Sequence, residues 1–162
     1  MSRSEPQTRT DSASRVVEAD PCEVYAAFAD AETLMQWLPP GNMTGRALEY
    51  DFRLGGRYRI ELTYPNDATG DVGKSSERSD LSTGRFLALE PGERIVWSVE
   101  FESDDPAFAG EMIMSWHLEP VAGGTRVRIR ATGVPSGIRP QDHDAGLRAS
   151  LDNLARHVGR NA

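Results

Sequence analysis

Residues 51–64, "DFRLGGRYRIELTY", decide how the remainder of the chain is read. After the paired glycines Gly55 and Gly56, the residues Tyr58, Ile60, Leu62 and Tyr64 alternate with polar ones, the period of a half-buried strand. Two glycines in a run of strand residues forfeit packing, and glycine there commonly marks a bulge or a sharp bend. The stretch therefore predicts a sheet that curves, and a curved sheet needs something in its hollow.

The alternation recurs downstream. Ile95, Trp97, Val99 and Phe101 share one strand face, Met112, Met114, Trp116 and Leu118 another. In a third strand Val127, Ile129 and Ala131 alternate with Arg126, Arg128 and Arg130, which form an outward, solvated row near Glu111 and Glu119. "EPGER" (90–94) and "PVAGGT" (120–125) carry the glycine and proline of hairpin turns, so strands adjacent in sequence are expected to pair antiparallel. Residues 65–80, "PNDATGDVGKSSERSD", hold almost no apolar side chain and read as a long mobile loop.

What fills the hollow comes last. In "RPQDHDAGLRASLDNLARHVGR" (139–160), Pro140 suits a first helical turn, and Gln141, Asp142 and Asp144 set acceptors and negative charge near the positive dipole end. His143, Leu147, Ser150, Leu151, Leu154 and Val158 fall on one stripe at helical spacing. Upstream, "SRVVEA" (14–19) is a strand candidate. Asp20, Pro21 and Glu23 have the spacing of a capping box opening a helix with Val24, Tyr25 and Phe28 on its apolar side. Asp30 can cap a second short helix carrying Leu34, Met35, Trp37 and Leu38, which "PPGN" (39–42) ends.

Composition sets the outer limits. A chain of 162 residues is the size of one domain, assigned to residues 13–160 after a disordered polar tail, 1–12, that has no apolar run to act as a secretory leader. No stretch reaches the roughly 18 apolar residues of a membrane span. A single cysteine, Cys22, excludes an intrachain disulfide and a multi-cysteine zinc site and fits a reducing cytoplasm. The net charge of −7 repels phosphate backbones and anionic lipid, so neither nucleic acid nor membrane insertion is expected.

The chain resembles the SRPBCC or START-like helix-grip superfamily, and within it the domain homologous to activators of heat-shock protein 90 ATPase. The resemblance covers roughly residues 14–158. It rests on Pro21, Val24, Tyr25, Glu32 and Trp37 in "PCEVYAAFADAETLMQW", and on Asp51, Arg53, Gly55, Gly56 and Tyr58 in "DFRLGGRY". "GRFLALEPGERIVWS" (84–98) and "GGTRV" (123–127) follow in the family's order. It implies an α+β fold: a seven-stranded curved antiparallel sheet around a long C-terminal helix, with two short helices after the first strand and an elongated apolar cavity between. It also implies a choice of activities: binding of hydrophobic small molecules, polyketide cyclase or aromatase chemistry, or co-chaperone work. Where the last helix of the family usually carries Gly-Trp, this chain has Gly146-Leu147.

Candidate cavity residues are Trp37, Tyr58, Trp97, Met112, Met114, Trp116, Leu147 and Leu151. The same inward side chains would equally build a filled core, and periodicity does not separate the two. His143 lies on the apolar stripe near a cavity mouth and is the one weak catalytic candidate, able to bind a ligand carbonyl or move a proton, although its neighbours Asp142 and Asp144 also suit a solvated position. Arg85 points inward to anchor an acidic head group if Leu87 pairs with Trp97, and outward if one bulge intervenes. The acidic run 100–111 fits no metal loop and reads as a solvated turn, with Phe108 tucked against the core or cavity rim. Cys22 reads as a small buried hydrophobe and His117 as outward and without a role. Nucleophile elbow, phosphate loop, zinc-protease and dinucleotide motifs are absent, and no cofactor or metal is expected.

The leading expectation is a non-catalytic domain binding a lipid-like or polyketide-like molecule between sheet and helix. The alternatives are a cyclase-like or hydrolytic enzyme using His143, and a co-chaperone-like contact through 65–80 or 100–111. A homodimer through exposed sheet is compatible with the sequence, which holds no pattern demanding one.

Overall fold

A computed structural model describes residues 9–40, 43–64 and 79–159. Its elements are β1 (Thr10–Val17), α1 (Pro21–Ala26), α2 (Ala31–Trp37), β2 (Thr44–Tyr50), β3 (Arg57–Thr63), β4 (Ser79–Glu90), β5 (Arg94–Phe101), a single 3-10 turn (Pro106–Phe108), β6 (Met112–Val121), β7 (Gly124–Thr132) and α3 (Pro140–Gly159). The strands form one antiparallel sheet in the order β1-β7-β6-β5-β4-β3-β2. Strands β2 to β7 each pair with the next, and β1 closes on β7.

The double glycine lies between strands rather than within one. Asp51 N donates to Arg57 O at 2.9 Å and Gly56 N to Arg53 O at 2.8 Å, closing the β2–β3 turn. Gly55 has φ +78°, and a Cβ on Gly56 would stand 2.0 Å from Asp51 O, so each glycine answers a different constraint. The turn is also sewn to β4, with Gly55 N donating to Phe86 O at 2.8 Å and Phe86 N to Gly56 O at 3.0 Å. Register shifts at Ala47/Glu49 and at Phe86/Ala88 add twist where the sheet bends.

Both short helices start at their sequence signals. Asp20 accepts from Glu23 N at 2.9 Å while Glu23 Oε1 receives Asp20 N at 3.4 Å, and Asp30 accepts from Thr33 N at 3.0 Å. Other boundaries differ. Residues 10–12, assigned to the polar tail, are strand: pairing with Thr132, Ala131 and Arg130 satisfies their backbone whatever their side chains. Ser79 and Asp80, assigned to the long loop, begin β4 opposite Thr63 and Leu62, while residues 65–78 lie outside the described set. Cys22 is exposed, because the second position of α1 faces away from buried Val24.

Helix α3 packs along β1, where Arg15 pairs with Asp152. Its Leu151, Leu154 and Val158 join a core whose centre is aromatic: Phe28 lies 5.0 Å from both Trp37 and Trp116, and Trp37 lies 5.5 Å from Trp116. Trp37 Nε1 donates to Ala27 O at 2.9 Å, which fixes α2 to the end of α1.

Candidate functional site

The apolar stripe of α3 changes neighbours along its length. Its C-terminal half is sunk in the aromatic core, whereas His143, Gly146 and Leu147 line a half-open cavity of about 560 Å³. A Cβ built on Gly146 meets no atom within 4 Å, so the helix presents a gap there rather than a contact.

The floor is the inner face of the sheet. Tyr58, Ile60 and Leu62 come from β3, Trp97, Val99 and Phe101 from β5, and Met112 and Met114 from β6. Leu38, Pro40 and Met43 close the side next to α2. Phe108, on the 3-10 turn, forms part of the rim. Gly137 N donates to Ala107 O at 2.7 Å, and a Cβ at Gly137 would come within 2.8 Å of the Phe108 ring, so this turn is clamped to the loop before α3. The acidic run around it serves the fold: Asp105 caps the turn through Ala107 N, and Glu102 receives both guanidinium branches of Arg59 at 2.7 and 2.8 Å.

Six of the residues expected at the cavity line it: Tyr58, Trp97, Met112, Met114, His143 and Leu147. Trp37, Trp116 and Leu151 do not. They are fully buried in the core at the C-terminal half of α3, to which Leu151 belongs, where inward residues meet other side chains instead of space. Arg85 is on the outer face, its guanidinium 3.3 Å from Gly55 O. Phe86 pairs with Trp97 and Ala88 with Val96, so Leu87 is the extra residue of a bulge and reverses the parity on which an inward Arg85 depended.

The polar groups gather at one end. Tyr64 donates to Asp80 at 3.1 Å, and Ser82, Arg139, Asp142 and His143 complete this end. Burial, and then Asp80, push the Tyr64 phenol above its ordinary range. Deeper in, Tyr58 donates to Ser98 O, and burial likewise raises its phenol above the ordinary range. Both rings stay neutral and act as donors already spoken for.

His143 is held from outside the cavity. Its Nδ1 lies 2.7 Å from Asp11 Oδ2, and the two side chains are only 13% and 15% exposed. Asp11 in turn receives Arg9 Nη2 at 2.7 Å and Nε at 3.2 Å, and Arg9 Nη1 reaches Ile138 O at the start of the α3 approach. Arg9, foremost, and His143 hold the Asp11 carboxyl below its ordinary range against the opposing effect of burial. Asp11 is the residue that sequence reading missed. The available signal was parity: Asp11 is in phase with Ala13, Arg15 and Val17, of which Ala13 and Val17 are buried and Arg15 meets α3.

A bent seven-stranded antiparallel sheet that holds a C-terminal helix above a partly filled hollow defines a helix-grip domain of the START-like, or SRPBCC, class. The chain belongs to the Activator of Hsp90 ATPase homolog 1-like protein family, which matches residues 18–159. It is similar to a crystal structure of a Chromobacterium violaceum protein, 35% identical, with TM-score 0.81, covering 93% of this chain and 96% of that one. Two further structures share the fold. One, from Rhizobium loti, is 23% identical with TM-score 0.71, covering 93% of this chain and 97% of that one. The other, an AHSA1-like protein from Aeromonas hydrophila, is 18% identical with TM-score 0.70 and covers 94% of each chain. No curated protein matches the sequence. No described helix is long and apolar enough to cross a membrane.

Proposed function

We propose that this domain binds a small, predominantly apolar molecule, lipid-like or polyketide-like, in the hollow between β3–β6 and the first half of α3. The observation that carries this reading is the cavity itself. About 560 Å³ is within the range of small-molecule sites, and its wall is aromatic, aliphatic and methionine side chains with polar groups confined to one end. Met112 and Met114 suit guests of differing shape because the thioether chain bends at little cost. A protein contact through the 100–111 segment is less well supported, since Glu102, Asp105 and Phe108 are each engaged within the domain.

Gly146 provides the test, because a large side chain there enters the cavity without displacing any atom next to its Cβ. Gly146→Trp is expected to keep the fold, seen as unchanged far-ultraviolet circular dichroism and cooperative unfolding, and to abolish saturable uptake of a fluorescent fatty-acid or polyketide-like probe. Uptake equal to that of the native protein would place binding elsewhere and remove the proposal.

A further inference from the structure

We infer that the ligand carries a neutral hydroxyl, an alcohol or a phenol, at its polar end, and that His143 Nε2 accepts its proton in a hydrogen bond. This rests on the cavity reading above and adds the chemistry of the head group.

Hydrogen-bond valence fixes the tautomer of His143. An ionised carboxylate can only accept, and Asp11 already accepts two N–H bonds from Arg9, which also neutralises its charge. The contact of 2.7 Å between Asp11 Oδ2 and His143 Nδ1 therefore requires the hydrogen on Nδ1. In a neutral imidazole the other nitrogen, Nε2, is then an acceptor. His143 lines the cavity, and among the described residues Nε2 has no hydrogen-bond partner. A ligand carbonyl presents the wrong polarity to that nitrogen, whereas a hydroxyl presents the right one. Arg85, which would have anchored an acidic head group from the sheet, is on the opposite face.

Two measurements test this. Nitrogen-15 long-range correlation spectra of the native, ligand-free protein at about pH 8, above the ordinary imidazole range, are expected to show His143 with a protonated Nδ1 and a bare Nε2. The opposite tautomer overturns the inference whatever the cavity binds. Titrations of 4-hexylphenol and its methyl ether compare one apolar body with and without the donated proton. The phenol is expected to bind about tenfold more tightly, the worth of one good hydrogen bond, and His143→Phe is expected to bring the ratio to about one. Equal affinity of the two compounds for the native protein, or a preference that survives His143→Phe, overturns the inference and leaves the cavity reading standing. Failure of both compounds to bind removes the two together.

Discussion

Three glycines show how differently one residue type is used. Gly84, in β4, gives up its side chain so that the Tyr58 ring can lie across the strand and donate to Ser98 O; a Cβ would stand 1.8 Å from that oxygen and 2.6 Å from the ring. Gly55 has free space around it but a left-handed backbone, while Gly146 has space and a helical one. Alanine is therefore expected to cost about 3 kcal/mol or more at Gly84 through overpacking, and about 1–2 kcal/mol at Gly55 through backbone strain. At Gly146 it should stabilise by roughly 0.5–1 kcal/mol through helix propensity. Urea unfolding of the three variants checks the order, and a Gly146→Ala protein less stable than the native one would contradict the open space assigned there. At this scale the sequence was a partial guide. The stripe placed His143 correctly because helical spacing is insensitive to its neighbours, but its partner Asp11 sits in a polar segment whose strand character comes from β7. Arg85, whose direction the sequence left open, is turned outward by a single bulge that no residue type in β4 announces.

Elements were legible wherever one face is apolar and a local signal marks the end. The Asp20–Glu23 capping box, the Asp30 cap and Pro140 set the helix starts, and the glycine turns set the hairpins after β4 and β6. Strand ends that pair with a segment distant in sequence, at Thr10 and Ser79, were not legible, because a hydrogen-bonding partner far along the chain leaves no local mark. The outer face of the sheet adds a titrating group that the fold disfavours charging. His117 on β6 lies between Arg94 of β5 and Arg128 of β7. Burial first, then Arg94, Arg128 and Arg130, depress its pKa below the ordinary 6.5, with Glu90 opposing. Between the folded and unfolded values the unfolded chain binds more protons, so stability rises with pH. The contribution is complete above the unfolded pKa and is lost as pH falls through the folded one. Replacing His117 with Gln is expected to flatten the stability profile below about pH 6.5 relative to the native protein, as followed by urea midpoints. An unchanged slope would mean that the ring is solvated and indifferent to its arginine neighbours.

Across the whole molecule, the question the sequence left open was whether the inward side chains fill the hollow. Periodicity assigns a side chain to a face, and a core and a cavity draw on the same face; the distinction depends on where the helix lies over the sheet. Here α3 follows β1, and the aromatic cluster of Phe28, Trp37 and Trp116 occupies the space beneath its C-terminal half while β3 to β6 stay uncovered beneath its N-terminal half. The consequence is a measurable asymmetry along one helix. Leu154, completely buried, is surrounded by packed neighbours, so Leu154→Ala leaves a new void and is expected to cost about 3–5 kcal/mol. Leu147, two turns earlier on the same stripe, already borders empty volume. Its truncation forfeits transfer energy with little additional cavity penalty, so Leu147→Ala is expected to cost only about 1–2 kcal/mol. It should also enlarge the space available to a guest, strengthening the uptake of branched probes relative to straight ones. Equal losses of stability in the two variants would show that the hollow is packed at both ends, and the ligand-binding reading would lose its physical basis.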